Sequence, residues 1–255
     1  MIGDSDVDFE DLSLFTEPED FRPKTPEPTS TTFNRNPKYV TSGRSELIVH
    51  LPPKHSLWAH KLWNAGQSLA NYLDEHKSLY KDKLVLELGA AASLPSIICA
   101  INGAKKVVST DYPDPTLIKN IELNAKENIP DELNSGLFSI KGFIWGQEEI
   151  ELDEPLTKHG KFDLILLADL IFNHNQHSNL LKSCKQMLAP NGYIITTFSH
   201  HITKWAHRDM VFFDVANEYG FKSEKLFEQR WDPMFPEDAG DLDVRSTVHC
   251  WKLTL

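Results

Sequence analysis

The hydrophobic positions predict strands and helices that alternate along most of the chain. Residues 83–88 (KLVLEL) and 162–169 (FDLILLAD) are nearly continuous apolar runs, which are typical of strands buried on both faces of a parallel sheet. Between them, residues 115–127 carry apolar positions at helical spacing and begin with a proline, which suits a first helical turn. This alternation predicts an α/β fold with helices on both faces of the sheet.

The other elements continue the alternation almost to the end of the chain. The predicted strands cover residues 45–51, 83–88, 106–111, 137–145, 162–169, 193–199, 222–231 and 246–255, and the predicted helices cover residues 57–76, 94–102, 115–127, 176–188 and 205–219. The last two strands have no helical pattern between them. We therefore expect them to form an antiparallel pair at one edge of the sheet.

Composition separates an N-terminal arm from a single domain. Residues 1–20 carry eight Asp and Glu residues and no Lys or Arg, and residues 1–40 contain five prolines. Such a segment cannot bury enough apolar surface to offset the loss of chain entropy. We expect residues 1–44 to be an acidic, proline-rich arm that is largely extended or disordered, and residues 45–255 to form the domain.

Charge and cysteine content limit the partners. Most of the net charge of −11 lies in the arm, and the rest of the chain lacks the basic surface that nucleic acid binding requires. The sequence has no apolar run long enough to cross a membrane, no secretory or transit pattern, and three cysteines without metal or disulfide spacing. These features favour a cytoplasmic protein with no nucleic acid, membrane or metal partner, and we expect a monomer.

The segment LELGAAASLP at residues 86–95 joins a predicted strand to a predicted helix through Gly89. A dinucleotide-binding loop would have further glycines where this chain has Ala91 and Leu94. Asp111 ends the next strand, 22 residues after Gly89, where an acidic residue accepts hydrogen bonds from a ribose or caps the following helix. We expect the segments that follow the strands to converge on one crevice. These segments are residues 87–93, 111–113, 143–146 and 168–174.

The missing glycines favour S-adenosylmethionine over a dinucleotide as the cofactor. The second glycine of a dinucleotide loop lets the backbone approach a pyrophosphate, and Ala91 would crowd that approach. S-adenosylmethionine has an adenosine but no phosphates, so it needs only the turn at Gly89 and free amides at a helix start. Trp145, after the third strand, could stack on the adenine or pack in the core.

Four motifs, VLELGAAASLP, STDYP, FIWG and FDLILLADLIF, resemble in order and spacing those of the class I seven-stranded methyltransferases, in particular the family-16 protein methyltransferases. The resemblance covers roughly residues 45–255. It implies S-adenosyl-L-methionine as cofactor and a Rossmann-like, seven-stranded, mostly parallel sheet with one antiparallel edge strand. It also implies that the upstream helix supplies Trp63 to the cofactor, with Trp58 as the weaker candidate. The family's ELGAG is ELGAA here.

The resemblance and the strand topology together nominate two sets of residues. The expected cofactor contacts are Trp63, Glu87, Gly89, Ala90, Ala91, Asp111, Tyr112, Trp145 and Ala168. The expected catalytic residues are Asp169, Asn173 and His174. Lysine methyltransferases of this family have a Tyr three residues after the Asp, whereas this chain has Phe172, so the Tyr hydroxyl does not carry over.

We expect Asp169 to bind the incoming ammonium, and His174 or a water to accept its proton. Several alternatives remain open. His174 and His177 could instead be a cap pair, and His200 and His201, which follow the strand at 193–199, are rival bases. Phe172, Tyr112 and Trp231 could contact a methylated cation or pack in the core.

The segments DYPDPTLIKNI, ADLIFNHNQH and MFPEDAGDLDVR closely resemble those of fungal enzymes in this group that methylate translation elongation factor 1-alpha on its N-terminal glycine and adjacent lysine. The resemblance implies that protein as the substrate. The loop at 230–245 could present carboxylates to such a basic peptide, or be a solvated acidic loop. The alternatives are a small-molecule N-methyltransferase, for instance one acting on nicotinamide, a catalytically silent binding module, and a nicotinamide dehydrogenase, which Ala91 disfavours.

Overall fold

The computed structural model describes residues 27–147 and 161–255, whose strands form a two-stranded and a seven-stranded sheet. The strands are β1 (Thr29–Asn34), β2 (Glu46–Leu51), β3 (Leu84–Leu88), β4 (Lys106–Asp111), β5 (Phe138–Gly142), β6 (Phe162–Ala168), β7 (Leu188–Ser199), β8 (Lys222–Arg230) and β9 (Thr247–Thr254). The helices are α1 (Asn64–Glu75), α2 (Leu94–Ile101), α3 (Pro115–Asn128), α4 (Pro130–Asn134), α5 (His177–Met187), α6 (Ala206–Glu218) and α7 (Leu242–Arg245).

The seven-stranded sheet has the order β5-β4-β3-β6-β7-β9-β8. Neighbouring strands from β5 to β7 pair in parallel, whereas β9 pairs antiparallel with both β7 and β8. This confirms the predicted Rossmann-like, mostly parallel sheet with its antiparallel pair at one edge. The chain order reverses at β3, which has β4 on one side and β6 on the other, and such a reversal opens a crevice beyond the carboxyl ends of the strands.

The apolar run of β3 is explained by two cores, one on each face of the sheet. Val85 belongs to the core that also contains buried side chains of α1, α2 and α3. Leu84, Leu86 and Leu88 point to the opposite core, which contains buried side chains of α5 and α6. Because successive side chains of a strand face opposite sides, a strand covered on both faces needs apolar residues at nearly every position.

Two asparagines of α3 attach the small sheet to the domain. Asn124 donates through Nδ2 to the His50 carbonyl at 2.9 Å and accepts through Oδ1 from the His50 amide at 2.7 Å. Asn128 makes the same pair of bonds with Ile48, at 2.8 and 3.0 Å. Since β1 covers the other edge of β2, the two side-chain amides pair backbone groups that would otherwise lie unsatisfied against the helix.

The folded domain begins before the predicted boundary at residue 45. Residues 29–34 pair with β2, and the Phe33 side chain is buried. The buried Arg35 donates through Nε and Nη2 to the Asp74 carboxylate of α1, at 2.9 and 2.7 Å. A buried pair of this kind holds the segment firmly, because breaking it would leave an uncompensated charge. Residues 1–26 of the predicted arm lie outside the described residues.

Helix α1 begins at Asn64, although the pattern predicted a helix from residue 57. Trp58 has a φ of 62°, a left-handed conformation that an α-helix does not allow. Residues 57–63 therefore form a loop, and the spacing of their five apolar side chains reflects packing around the crevice rather than a helix face. None of the described helices is long and apolar enough to cross a membrane.

Candidate active site

A cavity of about 530 Å³ opens at the carboxyl ends of β3, β4 and β6, where the strand order predicted a crevice. Its walls come from the loop before α1, the turn after β3 and the segments that follow β4, β5 and β6. The predicted site residues that line it are Trp63, Glu87, Gly89, Ala90, Ala91, Asp111, Tyr112, Trp145, Ala168, Asp169 and Asn173. The structure thus brings together all the nominated residues except His174.

The turn after β3 is left-handed at three positions. Gly89 has a φ of 64°, and a Cβ atom there would lie 2.7 Å from Leu170 Cδ2 and 3.2 Å from Trp145 Cζ2. Ala91 and Ser93 have φ values of 48° and 62°. A left-handed conformation costs a non-glycine residue about 1–2 kcal/mol, so Ala91 keeps the backbone shape of the absent glycine at the expense of local strain.

Asp111 holds this turn and faces the cavity. Its carboxylate accepts hydrogen bonds from the amides of Ala91 and Tyr112, both at 2.7 Å. Burial raises the pKa of Asp111, although these two hydrogen bonds oppose the change. Each carboxylate oxygen keeps a further lone pair, so the group can also accept hydrogen bonds from a ribose diol. The alternative role as cap of the next helix belongs to Asp114, whose side chain accepts from the Thr116 amide.

Glu87 supplies a second carboxyl group at the floor of the cavity. Its Oε2 accepts a hydrogen bond from the Ser96 amide at 3.1 Å, while Oε1 is buried without a partner among the described residues. Burial raises the pKa of Glu87 to about 8, although the hydrogen bond from the Ser96 amide opposes the change, and repulsion from Asp111 adds to it. An unpaired, buried carboxyl oxygen in a cavity wall is suited to a cationic or N–H group of a ligand.

Aromatic rings surround the mouth of the cavity. Trp63 donates through Nε1 to the Trp58 carbonyl at 3.1 Å, and the two rings lie 6.5 Å apart. Phe235, which the sequence did not nominate, lies 5.9 Å from Trp58 and 6.0 Å from Trp63. Tyr112 is half exposed at the rim. These planar walls can hold an aromatic base and exclude water from a reacting group.

Asp169 follows β6 with a φ of 58° and is almost fully buried. Its partner is His201, whose Nε2 lies 3.1 and 3.0 Å from the two carboxylate oxygens. Burial opposes the charged form of His201, but the charge and hydrogen bond of Asp169, with a smaller contribution from Asp209, outweigh it and raise the pKa of His201 above its usual 6.5. Asp169 therefore pairs with His201, which the sequence nominated only as a rival to His174 as the base.

His174 does not line the cavity. Its Nε2 is 2.6 Å from Asp209 of α6, and the same carboxylate is 2.7 Å from Nδ1 of His200. His177 is close to the Ile171 carbonyl through Nε2 at 2.6 Å, and burial lowers its pKa. Asp209 was missed because its position in a helix carries no motif. The expected role of His174 as a base stays a prediction. Its side chain pairs with Asp209 and not with Asp169.

The loop between β8 and β9 reaches the cavity rim through Phe235. Trp231 instead donates through Nε1 to Ser68 Oγ at 2.7 Å. Its ring therefore packs against α1. Asp241 caps α7, and Asp243 pairs with Arg230 at 2.6 Å. The remaining carboxylates of this loop are exposed and belong to Asp232, Glu237 and Asp238.

The cavity fits an adenosine joined to an amino acid. Asp111 provides acceptors for a ribose, Trp63 and Trp145 provide rings, and the unpaired oxygen of Glu87 provides a partner for an ammonium. The turn after β3 carries the Ala91 methyl group where a dinucleotide loop has glycine for the approach of a pyrophosphate. Among the described residues, no group of three or more His, Cys, Asp and Glu side chains could hold a metal ion.

Comparison with known proteins gives a family and close relatives. The family model described as lysine methyltransferase matches residues 45–219. A protein of Schizosaccharomyces pombe named protein N-terminal and lysine N-methyltransferase efm7 is 46% identical over 255 residues, which is 98% of each chain. Proteins with the same description from Candida glabrata and Debaryomyces hansenii are 44% and 42% identical, over 95% and 98% of each chain.

Solved structures agree on the fold. A candidate SAM-dependent methyltransferase from Streptococcus mutans superposes with a TM-score of 0.58 at 14% identity, over 91% of this chain and 57% of that chain. A candidate methyltransferase crystallised with SAH has a TM-score of 0.53 at 14% identity, over 81% and 53%. At such low identity, the likeness shows a shared fold.

Proposed function

Because this chain belongs to the lysine methyltransferase family, we propose that it methylates the N-terminal glycine α-amine and the adjacent lysine of translation elongation factor 1-alpha. Membership makes it an S-adenosylmethionine-dependent protein methyltransferase. The choice of amines is supported by relatives over 40% identical along nearly their whole length, which are named for N-terminal and lysine methylation. The choice of elongation factor is supported by the motif resemblance, and it implies a cytoplasmic enzyme, which we propose acts as a monomer.

The cofactor, when bound, supplies an electrophilic methyl group on a sulfonium centre. The residues that would hold it are Glu87, Asp111 and the turn at Gly89, with Trp63 and Trp145 against its rings. The protein's own contribution is then to orient an amine, exclude water and remove a proton, since only the neutral amine has a free electron pair. The aromatic rim and the buried Asp169 serve the first two of these tasks.

The two proposed target amines differ greatly in the energy needed to neutralise them. An α-amine has a pKa of about 7.7–8.0 and a lysine about 10.4, so neutralisation at pH 7 costs about 1–1.4 kcal/mol and about 4.6 kcal/mol respectively. An N-terminal amine therefore needs less help from a base. Asp169, with Asn173 beside it on the cavity wall, is the group whose charge we assign to attracting the incoming ammonium.

The exposed carboxylates Asp232, Glu237 and Asp238 support a basic peptide as substrate. They lie on the loop that carries Phe235 to the rim, so a lysine close to the methylated terminus could lie beside them. Exposed charges of this kind contribute more to association and selectivity than to affinity.

Mapping the methylated product in a cell lysate tests the proposal. The protein and labelled S-adenosylmethionine are added to lysate from cells that lack this protein, and mass spectrometry locates the label, with Asp111→Asn protein as the matched control. We expect label on the N-terminal glycine and adjacent lysine of elongation factor 1-alpha, and little with the variant. Label on a small metabolite alone would replace our proposal with the small-molecule alternative.

A further inference from the structure

The pairing of His201 with Asp169 fixes which nitrogen of the imidazole carries a hydrogen. Nε2 lies within 3.1 Å of both carboxylate oxygens, which accept hydrogen bonds and cannot donate them. In the neutral ring, Nε2 must therefore carry the hydrogen, and Nδ1 is left as the acceptor. Asp169 thus sets the tautomer of His201 and stabilises the imidazolium that forms when Nδ1 takes a proton.

The second imidazole nitrogen of His201, Nδ1, is not used by the rest of the described structure. It has no hydrogen-bond partner among the described residues, and it is not one of their buried unpartnered atoms. His201 is not itself among the residues that line the cavity, but its ring lies 4.9 Å from Trp63 and 6.4 Å from Phe172, which do line it. The ring that carries the unpartnered Nδ1 is therefore in contact with two walls of the cavity.

The other histidines near this end of the sheet already have other partners. His174 and His200 share the carboxylate of Asp209, and His177 is bonded to a backbone carbonyl and packs on Phe212. Neither of these arrangements includes a residue that lines the cavity. His201 alone among these four combines a cavity-lining carboxylate partner with an unpartnered nitrogen.

We propose that His201 is the catalytic residue that takes the proton from the substrate's ammonium, while Asp169 binds its Nε2–H. The inference rests on the proposed function in that the substrate is a protein amine. In this step a substrate N–H bond breaks and its electron pair stays on the amine nitrogen. The proton forms an N–H bond at Nδ1, so Asp169⁻ and neutral His201 become an ion pair, and the proton later leaves to water.

The proposal distinguishes the two target amines. The charge and hydrogen bond of Asp169 raise the pKa of His201 in the direction of an α-amine. A lysine lies about 2.5 pKa units above an α-amine, so its neutral fraction at the same pH is about 300-fold smaller. A histidine base therefore suits the N-terminal amine. We expect α-amine methylation to depend strongly on His201 and to reach its plateau at a lower pH than lysine methylation.

The pH dependence follows from the charged groups around His201. Asp169 faces it after β6 and Asp209 faces it from α6, with His174 and His200 bound to Asp209. Phe235, from the loop between β8 and β9, also faces His201. The Lys61 ammonium lies over the Phe235 ring, 4.8 Å from its centre. The two carboxylates raise the pKa of His201, so its basic form, and with it the rate, is lost as the pH falls through that raised value.

The experiment compares His201→Gln with wild type on two peptides. One begins with glycine and arginine and offers only an α-amine, and the other is N-acetylated and offers only the adjacent lysine. Glutamine can still donate to Asp169 but cannot take a proton. His207→Gln, an exposed histidine on α6, is the matched control. Calorimetry with S-adenosylhomocysteine and a thermal melt establish that each variant is folded and binds cofactor product.

We expect His201→Gln to lower kcat on the α-amine peptide by about 10²–10⁴-fold, with KM within a few-fold, and to remove the low-pH limb of the rate profile. NMR titration of the free protein gives a readout independent of activity. It should show hydrogen on Nε2, a pKa above 6.5 for His201 in wild type, and a lower value in Asp169→Asn.

Unchanged kcat and an unchanged pH profile in His201→Gln would overturn the assignment of His201, and so would a His201 titration that does not respond to Asp169→Asn. Wild-type protein that methylates neither peptide, while binding S-adenosylhomocysteine normally, would instead overturn the proposed function. The two failures are therefore distinguishable.

Discussion

Replacing Glu87 with glutamine should change how the stability of the free protein depends on pH. Glu87 is almost fully buried, and burial raises its pKa from 4.5 to about 8. The unfolded chain releases this proton near pH 4.5, whereas the folded protein keeps it until about pH 8. Between these values the unfolded state binds fewer protons, so rising pH favours unfolding. Glutamine resembles the protonated carboxyl group but does not titrate.

The magnitude follows from the two pKa values. Their difference of about 3.5, multiplied by about 1.4 kcal/mol for each pKa unit, gives about 5 kcal/mol. The contribution is zero below pH 4.5, where both states are protonated, and reaches its full size near pH 8. Relative to wild type, Glu87→Gln should therefore gain up to about 5 kcal/mol of unfolding free energy as the pH rises from 4.5 to 8.

Urea denaturation at several pH values between 4.5 and 8, followed by circular dichroism, measures the effect. The difference between the two proteins at each pH isolates Glu87, because every other titrating group is shared. Glu224→Gln, an exposed glutamate on β8, is the control and should follow the wild-type curve. If Glu87→Gln and wild type lose stability in parallel across this range, Glu87 ionises in the folded protein like an exposed carboxyl group, and the reasoning fails.

Three further changes test the cavity. Asp111→Asn removes the charged acceptor at the end of β4, so we expect calorimetry to show affinity for S-adenosylmethionine about 10–100-fold weaker, and an unchanged affinity would remove Asp111 from the site. Ala91→Gly relieves a left-handed alanine, so thermal melts should show stability unchanged or raised by up to about 1 kcal/mol, whereas a clear loss would contradict the strain. Glu237→Gln with Asp238→Asn should raise KM for a peptide beginning Gly-Lys while leaving kcat similar, and an unchanged KM would separate the loop from the substrate.

The sheet was predictable from sequence because its pattern is dictated by burial. Strands β3 and β6 lie between two cores, so nearly every position must be apolar. The start of α1 was not predictable, because five of the seven residues at 57–63 are apolar and all five line the crevice. Their spacing imitates a helix face, and only the positive φ of Trp58 reveals the loop.

Pairing within the site was harder to predict than its location. The carboxyl ends of parallel strands must meet, so the residues after β3, β4, β5 and β6 were expected to converge, and they do. Which histidine meets which carboxylate depends on side-chain directions in loops. His174 was placed beside Asp169 in sequence, but it pairs with Asp209 from a helix 35 residues away. His201, 32 residues from Asp169, takes the expected place.

The alanine in the turn after β3 shows how a departure from a family motif is absorbed. Ala91 is held left-handed by two hydrogen bonds, one from its amide to Asp111 and one to its carbonyl from Asn120, at 2.7 and 3.4 Å. Two such bonds can offset the 1–2 kcal/mol of strain, so glycine is not required. The same carboxylate faces the cavity, so the shape of the turn and the acceptor for the ribose depend on one residue. Loss of Asp111 would therefore weaken cofactor binding twice, by removing an acceptor and by releasing the turn.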